Sequence, residues 1–235
     1  MTMAKKSKVI NDYTPHEVLA LSVITYERQG FIRSGDGYTE VSSEDNVRRE
    51  FKDNKTVVLE MIQANIKPDE KYLLQAQAIM DKFNGKFMLK KLQGSLTRFE
   101  SSVSDAFIND LTNFTVAVIA SIPHMNTVDN VRQEIADKIE ALRFKSDFFG
   151  EVRTRYDIQI EIIDVKFIQS SGVYMITGVH NDNIIKFWWR DQPDISDIIN
   201  GKTINIRGTV LKHEQSKYSK AKETMLNRVK IMSTN

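Results

Sequence analysis

The most chemically pointed run in the 235-residue sequence is Lys186-Phe-Trp-Trp-Arg190. In an extended chain, successive side chains alternate between two faces. That alternation sets Ile185, Phe187 and Trp189 on one side and Lys186, Trp188 and Arg190 on the other. The first set belongs in a core. The second is an indole between two cations, suited to stacking a nucleobase while Lys186 and Arg190 meet phosphates. Such stacking contributes about 1–3 kcal/mol per base and accepts any base. Docking of Trp188 inside the protein is the competing account, and a register slip of one residue would exchange the two tryptophans. Tyr174, in the run just before, is a second stacking candidate, with an ordinary strand tyrosine as its alternative. Lys212-His-Glu-Gln-Ser-Lys-Tyr-Ser-Lys-Ala-Lys222 holds Lys212, Lys217, Lys220, Lys222 and Tyr218 with no large aliphatic residue to anchor it. Read as a loop, it attracts phosphate without demanding a fixed geometry. Arg207 and Arg228 fall on the non-core side of their runs and extend the track, as do Arg153 and Arg155 further upstream. Lys5, Lys6 and Lys8 read as a solvated basic tail.

Catalytic chemistry has no comparable foothold. The sequence has no cysteine, which removes disulfides and thiolate metal sites and suits a reducing cytoplasm. Its four histidines are far apart, so a histidine-rich metal site is not expected. No Gly-x-x-x-x-Gly-Lys phosphate loop, Gly-x-Ser-x-Gly elbow or His-Glu-x-x-His helix occurs. Gly201-Lys202-Thr203 imitates the end of a phosphate loop, but Ser196 stands where its first glycine belongs. Asp191, Asp194 and Asp197 share a helical spacing and read as a solvated acidic face. Arg48, Arg49, Glu50 and Asp53 mix both signs and read as helix-surface pairs. The expectation is a protein that binds without catalysis, cofactor or metal. No apolar run is long enough to span a bilayer, and the first residues lack a signal-peptide core, so a cytoplasmic location is expected, in the host if the protein is viral.

Two kinds of element must position these residues. Up to residue 145 the period is mostly helical. Thr14-Pro15-His16-Glu17 is a capping box opening a helix through Leu19, Leu21, Val23 and Ile24. The spacing predicts a helix over about 46–64 and another from Pro68 that Gly85 stops. A further helical stretch over 86–122 breaks at Gly94 and ends before Pro123. Thr127 caps a last helix over about 128–145, with Val131, Ile135, Ile139 and Leu142 on one face. Residues 32–43 read as a loop or short hairpin. Lys86, Lys90, Lys91 and Arg98 can share a helical face that offers a second nucleic-acid contact.

From Tyr156 the period drops to two. Ile158, Ile160 and Ile162 alternate inward, then Ile163, Val165 and Phe167 continue with the parity flipped, as a β-bulge produces. Strands follow at Val173–His180, Ile184–Arg190, Thr203–His213 and Glu223–Met232, with a short helical connection over Pro193–Asn200. The charge shifts with the period. Residues 1–145 are neutral and residues 146–200 carry a net −4. Residues 201–235 hold eight basic side chains against two acidic ones, although the whole chain is only +2.

A long bent strand, a hairpin, a helical connection and two more strands match the five-stranded OB-fold, which binds oligonucleotides or oligosaccharides. The class is therefore α+β: a mostly helical domain over 1–145, then an OB-fold β-barrel over 146–235. Gly201-Lys-Thr-Ile-Asn-Ile-Arg-Gly-Thr-Val-Leu-Lys-His213 and Glu223-Thr-Met-Leu-Asn-Arg-Val-Lys230 resemble the last two strands of OB modules in single-stranded nucleic-acid-binding accessory proteins of bacteriophage type. The likeness covers about 150–235. It implies a single-stranded DNA-binding accessory factor in phage-like replication, recombination or transcription. The alternative is a subunit that docks a polymerase, primase or helicase and touches nucleic acid weakly. Replication or transcription proteins are the expected protein partners, and a homo-oligomer is compatible with either reading.

Overall fold

The computed structural model describes residues 9–41, 48–190 and 200–234. The chain divides into two compact units, Met1–Asp129 and Asn130–Asn235. The first is mostly helical and the second is built on a closed five-stranded barrel, an α+β arrangement. The division falls inside a helix rather than at the 145/146 boundary, where charge and periodicity change.

In the first unit, α1 (Pro15–Gln29) starts from the expected capping box: Thr14 and Glu17 bond each other's backbone N–H groups. Val18 to Thr25 are buried without a break, so α1 has no wet face over two turns and forms the centre of the unit. The hydroxyls this buries are satisfied within the helix, Ser22 donating to the Val18 carbonyl (2.7 Å) and Thr25 to that of Leu21 (2.9 Å). Residues 48–51 are not helical. They form β2 (Arg48–Phe51), paired antiparallel with β1 (Tyr38–Val41), so the short-hairpin reading of 32–43 holds for its second half. Asp53 then caps α2 (Asn54–Gln63), accepting the Thr56 N–H.

Gly85 does not stop α3 (Glu70–Leu92), which runs straight through it. Ala76, Phe83 and Phe87 are buried on both sides of the glycine, and that packing outweighs the roughly 1 kcal/mol a helical glycine costs. After α4 (Arg98–Ile108), Pro123 likewise fails to end α5 (Asn113–Leu142), and Thr127 is not a cap. Burial of Ile119, Ala120, Ile122 and Pro123 holds the helix across the missing donor, and Thr127 donates to the Pro123 carbonyl (3.2 Å).

In the second unit the strands are β3 (Arg155–Ile168), β4 (Val173–His180), β5 (Asn183–Trp189), β6 (Thr203–Gln215) and β7 (Lys222–Thr234). They close in the order β3-β4-β5-β7-β6, with β6 paired back onto β3. Every pair is antiparallel except β5 with β7. This Greek-key closure is OB-like. The parity flip in β3 is a register shift between Ile162 and Asp164, which buries both Ile162 and Ile163 and lets one strand serve two neighbours. Gly178 faces that bend. A Cβ there would lie 2.8 Å from Ile160 Cδ1 and 3.0 Å from the Glu161 carbonyl. Isoleucines 158, 160, 162, 176, 185, 204 and 206 with Phe187, Trp189, Val210 and Leu226 fill the barrel. The expected helical connection over 193–200, apart from Asn200, and the acidic residues Asp191, Asp194 and Asp197 lie outside the described residues, as do Lys5, Lys6 and Lys8.

Candidate nucleic-acid interface

Register converts the barrel strands into rows. Directly opposed residues share a face, and β3, β4 and β5 align Lys166 with Met175 with Trp188, and Asp164 with Thr177 with Lys186. The alternate rows point inward: Phe187 is buried and Trp189 nearly so, while Trp188 is 49% exposed. The alternation read from the sequence therefore holds, without a register slip. Ile184 lies on the outer face yet is buried. Its N–H donates to Ser146 Oγ (3.0 Å), whose hydroxyl donates to the Lys222 carbonyl (2.7 Å) across the parallel start of β5 and β7. The face is thus closed at the Ile184 end and open at Trp188.

Tyr174 stands elsewhere. It opposes Trp189 and Phe167, is half-buried against the barrel core, and packs its ring 4.8 Å from that of Phe167. The structure places it in the inward row, not beside Trp188.

The cations sort by whether the fold has already neutralised them. Lys186 is bonded to the buried carboxylate of Glu223 (2.7 Å). Arg207 holds Asp157 bidentately on the β3–β6 ladder (2.5 and 2.6 Å), which draws that carboxyl below its ordinary range. Lys212 pairs with Glu214 (2.5 Å). Lys222 pairs with Asp147 (2.8 Å) and lies 5.4 Å from the Phe148 ring centroid. Among the described residues Arg153, Arg155, Arg190, Lys217, Lys220 and Arg228 are exposed and form no ion pair. Asp164 puts a carboxylate into the Lys186 row of this surface. Burial raises its pKa, against the opposing pull of Lys166 and Lys186.

Lys212 and Lys222 are strand residues, because β6 and β7 extend further than their apolar pattern. The connecting loop is only 216–221. It is pinched by Ser216 N–H to the Ala221 carbonyl (2.9 Å) and Lys220 N–H to the Ser216 carbonyl (3.1 Å). Tyr218 stands at its tip, 97% exposed, between Lys217 and Lys220. Lys166 and Met175 join the candidate face without having stood out in the sequence. The flipped parity of β3, with Val165 packed against the barrel core, is the signal that turns Lys166 outward.

The expected basic face of the helical unit is divided: Arg98 opens α4 while Lys86, Lys90 and Lys91 lie on α3, and only Lys91 and Arg98 are exposed without an ion pair among the described residues. Lys86 is bonded to Asp129 and Lys90 to Glu100, within that unit. Among the described residues no three His, Asp or Glu side chains are grouped to hold a metal ion, and no helix is long and apolar enough to cross a membrane. Comparison with protein-family models, curated protein sequences and solved structures finds no significant match.

Proposed function

We propose that the barrel binds single-stranded nucleic acid, DNA in the first instance, and that the chain is a non-catalytic accessory factor of nucleic-acid metabolism, as in phage-like replication, recombination or transcription. The observation that carries this is Trp188. It is a half-exposed indole on the outer face of the central hairpin, with Met175 across from it and exposed Lys166 in the same row, while Lys186 in the adjacent row is held by Glu223. A flat apolar surface bordered by an ammonium group offers a base its π-face and a flanking phosphate a charge. Tyr218 between Lys217 and Lys220 repeats the pattern at the tip of the β6–β7 loop, one of the two loops OB modules use.

The second reading, a subunit that docks a replication or transcription protein, draws on a different observation. The helical unit has a largely apolar cleft of about 330 Å³ whose lining includes Phe31, Phe99 and Val118 with Arg33 and Lys55. The two readings separate on fluorescence anisotropy of labelled oligo-dT with the full chain across a salt series. Binding that weakens with salt and falls five- to 150-fold for Trp188→Ala, the equivalent of about 1–3 kcal/mol of stacking, supports the first. No binding at low salt overturns it in favour of the second.

A further inference from the structure

The proposed face leaves a second group of cations and an exposed ring unexplained. Arg143, Phe144 and Lys145 directly follow α5 and precede Ser146, the residue that bridges β5 and β7. Between them and the start of β7 lies a cleft of about 360 Å³ lined by Arg143, Phe144, Lys145, Asp147, Lys220 and Lys222, all within the barrel unit. Four cations and one carboxylate meet there. Asp147 is matched by Lys222 (2.8 Å). Arg143 reaches Glu140 (3.0 Å), an exposed pair one turn back, of the kind that exchanges readily for another anion. Lys145 and Lys220 form no ion pair among the described residues. The cleft is therefore left with net positive charge.

Phe144 is the second half of the argument. Its ring is 87% exposed, with the Arg143 guanidinium carbon 5.1 Å from the centroid. A phenyl ring held in water beside a guanidinium, in a cleft that Lys145 and Lys220 also line, has the make-up of a stacking platform, and Tyr218, on the loop that carries Lys220, is more exposed still. We infer that this cleft is a second subsite for a single strand, with Lys145, Lys220 and Arg143 on phosphates and a base on Phe144. The inference rests on the reading of the barrel as a single-strand binder and extends it to a longer path. The cleft adjoins the Asn183–Ile184 end of β5, where Asp147 N–H donates to Asn183 Oδ1 (2.8 Å). Trp188 stands four residues further along, roughly 13 Å at the rise of an extended strand. A strand that occupies both sites must be longer than one that occupies the Trp188 row.

Oligo-dT of 8 and 24 nucleotides, titrated against the full chain by anisotropy across a salt series, reads this directly. Phe144→Ala, and Lys145→Ala combined with Arg143→Ala, weaken the 24-mer at least fivefold and leave the 8-mer within twofold. The double variant also flattens the 24-mer salt slope by about 1.4, at roughly 0.7 per lost phosphate contact. Trp188→Ala weakens both lengths. If the cleft variants bind the 24-mer as the parent does while Trp188→Ala still fails, the subsite is refuted and the Trp188 face stands. If the cleft variants fail and Trp188→Ala does not, the cleft is the principal site and the Trp188 face is refuted. A parent that binds neither length overturns both.

Discussion

Lysines 82, 86 and 90 of the helical unit and lysines 145, 217 and 220 of the barrel unit look alike as sequence, and the fold treats them in opposite ways. Lys82 and Lys86 converge on Asp129, and Lys90 is bonded to Glu100 (2.5 Å). Burial pushes both carboxyls up, and the lysine contacts more than offset it, joined at Glu100 by the N–H and hydroxyl of Thr97. Both end below the ordinary carboxylate range. Those ammonium groups are part of how the helical unit is held. Lys145, Lys217 and Lys220 carry the same charge and form no ion pair among the described residues. The difference teaches that a polyanion surface is marked by cations the fold has not already neutralised, and neither net charge nor spacing reveals which those are. The same division runs through one strand at Trp188 and Trp189.

Those two tryptophans give the largest effect. Trp189→Ala empties part of the barrel core and lowers unfolding free energy by about 3–5 kcal/mol. Trp188→Ala leaves it within about 1 kcal/mol, because half of that ring is already in water. Urea unfolding of the two variants checks this. Equal losses would mean that Trp188 is a structural residue and would remove the main support for a binding face.

A smaller effect tests the paired cations. Asp129→Ala removes the carboxylate that Lys82 and Lys86 share and destabilises the chain by about 1 kcal/mol at pH 7, discounted because the lysines remain about a third exposed. Its lowered folded pKa fixes the sign: the contribution is complete above the ordinary value near 4 and fades as pH falls through the lower folded value. The deficit of the variant, read as a Tm difference from pH 7 downward, therefore shrinks toward zero in acid. Oligo-dT affinity should stay within twofold. A marked rise on removing that carboxylate would break the contrast between the units.

What is legible in the sequence follows from how local each signal is. The Thr14–Glu17 capping box, the period-two strands and the parity flip at Ile163 are short-range patterns, and each has its counterpart in the fold. Gly85 and Pro123 mislead because their local cost is overruled by burial of Phe83, Phe87, Ile119 and Ile122, which depends on contacts distant in sequence. Residues 48–51 need a partner strand to be read as β. At the site, Trp188 is legible because alternation fixes its face. Tyr174 is not, because its face depends on the strand opposite it. The pairing of Lys186 and Arg207 has no sequence signal at all, since Glu223 and Asp157 become their neighbours only through register. Arg143-Phe-Lys145 carries the same cation–aromatic pattern as the strand motif, but its place at the end of a helical run hides it.

The smallest expected effect sharpens the comparison most, because it concerns a carboxylate on the candidate face itself. Asp164 shares a row with Thr177 and Lys186, next to the Trp188 row. Burial raises its pKa, and Lys166 and Lys186 oppose that only in part. A raised folded pKa means that the stability it contributes is complete below the unfolded value near 4 and is lost as pH rises through the folded value, the reverse of Asp129. Asp164→Asn should therefore melt above the parent at pH 7, with the two curves converging in acid. Removing a negative charge from the face should also tighten oligo-dT by about two- to threefold at low salt, an effect that salt screens. If Asp164→Asn instead melts below the parent at neutral pH, its carboxylate is a working partner of Lys166 and Lys186. The cations of this face would then be neutralised by the fold in the same way as those of the helical unit, and the contrast between the two would fail.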